Sequence, residues 1–314
     1  MLRTLRVGRL RSIVTVVLMV VPLAAVSPQP AAQRPPRQPQ APQGVEVVWN
    51  VPYTSVGERL LRVNIARPAQ IPDEPMPVAV WIHGGGWRGG TNNPSRNYPL
   101  AQRGYFTISV EYRLTDEAIF PSQITECKAA ISWLRANAEV LHINPDKIGV
   151  WGSSAGGHLA ALVGTSMGVK QFEWPNAQGH SSDVQCVIDL FGPSDFAAMV
   201  GAPSRIDRTK ADCPEALLLG GLISENPDKA RAASPVTHVD GNEPPFLIMH
   251  GTEDQVVPFD QSEILYEALQ KVGAQVTFVR VKGAGHGFSG QEIDPGREAL
   301  QTMCLEFFDK HLKD

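Results

Sequence analysis

The sequence predicts an α/β protein whose central sheet is mostly parallel and covered by helices on both faces. Three observations carry this. Short apolar runs alternate with stretches of helical periodicity along most of the chain. Several of these runs are continuously apolar, as strands buried on both faces must be. Glycine-rich segments stand where the runs stop, at the strand ends where such sheets carry their sites.

The elements follow in order. Val47–Tyr53 and Leu60–Ala66 read as strands, the second alternating in the half-buried manner, and this leading pair is compatible with antiparallel pairing. Val78–Ile82 and Phe106–Tyr112 are further strands. Pro121–Ala138 has helical periodicity with a proline suited to its first turn. Lys147–Trp151 is a strand that runs through Gly152 into an Ala/Leu-rich helix, Ala155–Gly164. Val184–Phe191 and Phe246–His250 are buried strands, Gln261–Val272 a helix, Gln275–Val281 a strand and Arg297–Leu312 a closing helix. Gly192–Val239 breaks the alternation and is too long for a simple loop, so residues 192–239 are expected to form a partly helical lid.

The N-terminal segment has its own character. Arg3, Arg6, Arg9 and Arg11 precede an apolar run, Ile13–Val26, and small residues follow it. That is the pattern of a secretory signal over residues 1–26. The run has 14 residues, against the roughly 20 needed to span a bilayer. Residues 27–44, rich in Pro, Gln and Ala, read as a disordered tether, with the folded α/β domain over 45–314. The expected location is therefore secreted or periplasmic, with no stable membrane insertion after signal cleavage. A net charge of −4 gives no sign of a nucleic-acid partner, which would call for a basic face.

Four cysteines, Cys127, Cys186, Cys213 and Cys304, allow three complete pairings. Cys127 and Cys304 lie on apolar helix faces, which leaves Cys186–Cys213 as the first bridge to expect in an exported chain. No CxxC or His/Cys cluster suggests a metal site, and no cofactor is expected.

Gly152-Ser153-Ser154-Ala155-Gly156 fits G-x-S-x-G in a strand–turn–helix context, which makes Ser154 the candidate nucleophile. His83-Gly84-Gly85-Gly86-Trp87 follows the strand ending at Ile82. Attack on an ester creates an oxyanion that needs preorganised N–H donors, and those of Gly84, Gly85 and Ala155 are the candidates. Trp87 is expected to border the acyl pocket. A serine hydroxyl needs a base. His286, in Gly283-Ala284-Gly285-His286-Gly287-Phe288, has a glycine-flanked loop after the last strand; His158, His83 and His250 have less suitable settings. Asp254, in the segment after His250, is the candidate acid that orients the base, with Asp195 as its rival and Glu253 facing away. The order Ser154, Asp254, His286 is that of α/β-hydrolases.

On these segments the chain resembles the hormone-sensitive-lipase-like esterases. It departs from their pattern at Ser153, where they usually carry Asp, and at Thr115-Asp116-Glu117, where they usually read Ala-Pro-Glu. Gly89-Gly90, Phe120-Pro121 before Cys127-Lys128-Ala129-Ala130, and Gly156-Gly157-His158-Leu159 are more similar to the bifunctional feruloyl and acetyl-xylan esterases. The resemblance implies a serine carboxylesterase acting on small-molecule or polysaccharide esters with short acyl or aromatic groups. A peptidase or amidase on the same fold, a lipase-like esterase and a non-catalytic relative are the competing readings.

Overall fold

The computed structural model describes residues 40–313 apart from 176 and 178. The expected signal segment and most of the expected tether lie outside the described residues.

Among the described residues eight strands form one sheet: β1 Val45–Val56, β2 Arg59–Pro68, β3 Met76–Ile82, β4 Phe106–Val110, β5 Ile143–Ser153, β6 Cys186–Leu190, β7 Phe246–Gly251 and β8 Val276–Val281. Their order across the sheet is β1-β2-β4-β3-β5-β6-β7-β8. β1 pairs antiparallel with β2 and β2 with β4; every later pairing is parallel. The helices are α1 Tyr98–Gln102, α2 Ser122–Ala136, α3 Ala138–Leu141, α4 Ala155–Thr165, α5 Pro214–Leu219, α6 Pro227–Ala233, α7 Asp260–Lys271 and α8 Arg297–Leu312. Periodicity over Pro121–Ala138 merged two helices: the chain breaks at Asn137, whose side chain donates to Trp133 O at 2.8 Å. The short α1 has too few residues for its period to be seen.

Strand alternation divides the core into two layers. Val78, Val80 and Ile82 of β3 pack with Ile124, Ile131, Leu159 and Leu265 from α2, α4 and α7. Ala79 and Trp81 face the other way, against Leu100 of α1 and the layer holding Phe308 and Leu312 of α8. At about 25 cal/mol per Å² of apolar surface removed from water, these two layers are the main source of stability. The tether's last residues join this domain: Ala69 N–H donates to Gly44 O at 2.9 Å, and Ala41 packs beside Val45 and Ala66.

The expected Cys186–Cys213 bridge is overturned, since all four cysteines are free and buried. Cys186 lies between β5 and α8: a Cβ on Gly149 would meet its Sγ at 2.7 Å and Phe308 at 2.6 Å. Cys213 starts α5 in the lid, its Sγ accepting from Ala216 N–H at 3.4 Å. Cys186 packs in the layer with Phe308 and Leu312, whereas Cys213 lies outside that layer, in the segment between β6 and β7. Burial pushes the Cys304 thiol up to about 12, well away from thiolate chemistry.

Between β6 and β7, residues 192–239, termed the lid, carry α5, α6 and short 3₁₀ turns. Ser194 N–H donates to Gln261 Oε1 at 3.1 Å, and Arg205 N–H to Gln255 O at 2.7 Å. These bonds tie the insertion to α7 and to the loop after β7. Among the described residues no helix is long and apolar enough to cross a membrane.

Candidate active site

The site is built at the carboxyl ends of β3, β5, β7 and β8. β5 runs directly into α4, and Ser154 takes the whole turn, with φ 56° and ψ −123°. Such a conformation costs a non-glycine residue of order 1–3 kcal/mol. It persists because its surroundings hold it: Ser154 N–H donates to Leu190 O at 2.9 Å and Ser154 O accepts from His158 N–H at 2.9 Å. The flanking glycines are a steric requirement. A Cβ on Gly152 would stand 2.2 Å from Gly156 O, and one on Gly156 would stand 2.1 Å from Ile82 O.

Ser154 Oγ lies 3.0 Å from His286 Nε2, and His286 Nδ1 lies 2.7 Å from Asp254 Oδ2. A carboxylate only accepts, so Nδ1 carries the proton and Nε2 is left to accept from the serine hydroxyl. His286 stands in a short turn with Gly287 at φ 70° and Phe288 at φ 56°, and the ring of Phe191 meets it edge-on at 4.9 Å. Its loop reaches this place because β7 and β8 end together. A Cβ on Gly251 would stand 2.2 Å from Ala284 O, and Glu253 N–H donates to Ala284 O at 2.9 Å.

Asp254 is 7% exposed. Burial alone would raise its pKa, but hydrogen bonds from His250 and His286 outweigh it, so the carboxyl lies well below the usual range and stays ionised. Oδ1 accepts from the N–H groups of Val256 and Val257 at 2.8 and 3.0 Å. Glu253 is exposed, and Asp195 caps its own turn by accepting from Ala198 N–H at 3.1 Å. His250 is the site residue that sequence reasoning left among the structural histidines. Its Nε2 lies 3.3 Å from Asp254 Oδ2 and 3.1 Å from Val257 O, while Nδ1 lies 2.7 Å from Ser262 Oγ. The available signal was its spacing, four residues before Asp254 at a strand end.

Opposite the serine, the glycine loop makes a close approach. A Cβ on Gly84 would stand 2.6 Å from Ser153 O and 3.3 Å from Ser154 Cβ. The N–H groups of Gly84, Gly85 and Ala155 donate to no other described residue, so they are free for an anionic oxygen. His83 braces this loop: it stacks on Tyr112 at 4.3 Å, and Tyr112 OH donates to His83 O at 2.9 Å. His158 is fully buried. Desolvation lowers its pKa to about 4, so it stays neutral while Nε2–H donates to Ala233 O at 2.7 Å, tying α4 to the lid. Trp87 lines the cavity above Ser154 and is otherwise packed between His158 and Phe196.

That cavity holds about 610 Å³ and is walled by Trp81, Trp151, Leu190 and Phe288, with lid residues Ile206, Arg208 and Glu215. The lid's ion pair, Arg208 Nε to Glu215 Oε1 at 3.1 Å, is almost wholly buried and was not foreseen. Among the described residues no group of His, Cys, Asp or Glu is placed to hold a metal ion. The arrangement can activate a hydroxyl, stabilise an oxyanion and return a proton to a leaving group.

The strand order and the serine turn between β5 and α4 define an α/β-hydrolase. More narrowly, the chain belongs to the BD-FAE family, which it matches over residues 63–269. It is 33% identical over 247 residues to esterase LipC of Mycobacterium tuberculosis, covering 76% of this chain. The chain spans 60% of that relative's length. A truncated carbohydrate esterase from gut microbiota superposes with a TM-score of 0.74 at 32% identity, covering 86% of this chain and 97% of its own. The butyrate-bound esterase Est2 of Thermogutta terrifontis gives 0.65 at 28% identity, covering 85% and 93%.

Proposed function

We propose that the protein is an exported serine carboxylesterase that removes short acyl or aromatic acyl groups, acetyl and feruloyl among them, from carbohydrate. The observation that carries the reading is the continuous relay from Asp254 through His286 to Ser154, facing unpartnered N–H groups across an open cavity. Ser154 Oγ attacks the ester carbonyl while His286 Nε2 takes its proton. The N–H groups of Gly84, Gly85 and Ala155 receive the negative oxygen. Asp254 holds the imidazolium, which then protonates the departing alcohol. Water, activated by the same histidine, releases the acid and restores the serine.

The carbohydrate assignment is supported by the family, by the structural neighbour described as a carbohydrate esterase, and by the aromatic walls of the cavity. A butyrate-bound neighbour supports the short acyl group. Export is supported by the arginine-led apolar N-terminus.

The test is a panel of p-nitrophenyl acetate, butyrate and decanoate, methyl ferulate and acetylated xylan, with acetate release followed. Strong turnover of acetyl and feruloyl esters with poor decanoate supports the proposal. A preference for decanoate overturns the carbohydrate assignment in favour of a lipase-like esterase.

A further inference from the structure

Trp151, Leu190, Gly287, Phe288 and Arg96 line the cavity above Ser154 and also a second cavity of about 430 Å³. The two therefore adjoin, and a substrate seated on Ser154 has a second chamber beside it. The polar groups of this chamber include Ser95, Gln301 and two guanidinium groups, Arg96 and Arg297, and no carboxylate among the described residues lines it.

The arginines are the unexplained feature. Among the described residues neither pairs with an acid, nor does Arg88 on the rim of the first cavity. Among the described residues the only carboxylate lining the first cavity, Glu215, is engaged by Arg208. Arg297 is anchored through carbonyls, donating to Phe288 O at 2.9 Å and Gly290 O at 2.7 Å; the Arg96 head donates to no described residue. In a chain of net charge −4, unpaired cations along two adjoining cavities mark a place for an external anion. The remaining walls narrow its kind. Flat Trp and Phe surfaces suit the C–H face of a sugar ring, Ser95 and Gln301 suit its hydroxyls, and the guanidinium fork matches a carboxylate.

We propose that the second cavity is a subsite for a uronic acid, so that the enzyme prefers esters carried on or beside a uronate sugar over those of neutral sugars. The binding preference stands on these walls alone; its expression in turnover rests on the esterase reading above.

The deciding experiment separates the two. Binding of digalacturonate and of neutral galactobiose to the Ser154→Ala protein is followed by tryptophan fluorescence. Digalacturonate is expected to bind about tenfold more tightly, as one or two charge-assisted hydrogen bonds allow. The ratio should shrink as NaCl is raised from about 0.05 M to about 0.5 M, because salt screens the charge. Arg96→Gln with Arg297→Gln should bring it to about one, and Arg96→Gln alone, which removes no hydrogen bond to a described residue, should lower it part of the way. Equal affinity for the two sugars in the parent protein, or a preference that survives the double substitution, overturns the subsite. In parallel, wild-type protein is given acetylated galacturonide and acetylated galactoside, with p-nitrophenyl acetate as reference. Loss of turnover on every ester, with the binding ratio intact, would fault the esterase reading and leave the subsite standing.

Discussion

His250 Nε2 sits 3.3 Å from Asp254 Oδ2, the same oxygen that holds His286 at 2.7 Å. Two histidines thus share one carboxylate oxygen, one at each side of the relay. His250 touches neither substrate nor serine, so it acts by positioning Asp254 and keeping it ionised. His250→Asn is expected to lower kcat by about ten- to a hundredfold, the usual weight of a hydrogen bond to a charged group, with KM little changed. Losing a donor raises the Asp254 pKa from far below the working range, where the carboxyl stays ionised, so the loss in kcat should appear across the whole active pH range. A pH–rate profile of unchanged shape and height would rule out this role.

The glycine loop invites a steric test. Gly84→Ala places a methyl 2.6 Å from Ser153 O, and the loop must shift away from the serine. An oxyanion donor moved out of reach typically costs about 10²–10³ in kcat. Circular dichroism should show the fold retained while steady-state kinetics record that loss; a kcat near that of the parent would show that Gly84 N–H does not face the oxyanion.

Backbone strain at Ser154 separates activity from stability. With φ at 56° and ψ at −123°, serine is held where glycine rests without penalty. Ser154→Gly should abolish ester hydrolysis yet exceed Ser154→Ala in stability by about 1 kcal/mol, the scale of such strain. Urea unfolding of the two variants decides it.

Asp189 on β6 is a buried carboxyl whose Oδ2 has no partner among the described residues, and burial raises its pKa to about 7. The native protein holds this proton more tightly than the unfolded chain, whose reference value is 3.8. Its contribution to stability is therefore intact below that value and falls as pH rises to about 7. Asp189→Asn removes the titration. The variant should gain on the parent by about 2–4 kcal/mol between pH 4 and pH 8, seen as a rising difference in denaturant midpoint. A constant difference across that range would mean that Asp189 is ionised in the fold.

The free cysteines give a chemical test. Folded protein should react slowly with a thiol reagent, unfolded protein should titrate four thiols, and a reductant should leave Tm unchanged. A fall in Tm on reduction would point to a bridge after all.

Much of the fold is legible in the sequence because it is written locally. A strand buried on two faces is mostly apolar, so β3, β6 and β7 stand out within a few residues even though β6 carries Asp189 and β7 ends on His250 and Gly251. The turn at Ser154 needs Gly152 and Gly156 because their Cβ atoms would strike Gly156 O and Ile82 O, a clash set largely by the turn and its neighbouring strand. Motif and conformation therefore coincide there. The break at Asn137 and the short α1 were not legible, since a single period over few residues carries no phase.

Proximity across the chain is a different kind of fact. His286 and Ser154 are 132 residues apart and meet because β5, β6, β7 and β8 lie side by side in that order. Residue types and strand ends made them candidates, whereas their 3.0 Å separation comes from the sheet. The same holds for what was missed. Spacing could place His250 near Asp254, but not aim its ring at Oδ2. Cysteine count allowed a bridge that the layering of β6 and the lid forbids. Unpaired arginines look like any surface charge in the sequence, and only the fold brings Arg96 and Arg297 to one cavity without an acid between them. Periodicity and steric demands act over a few residues and are read from the chain itself; distances, burial and the partners of charges depend on how distant segments pack, and the tertiary structure alone decided those.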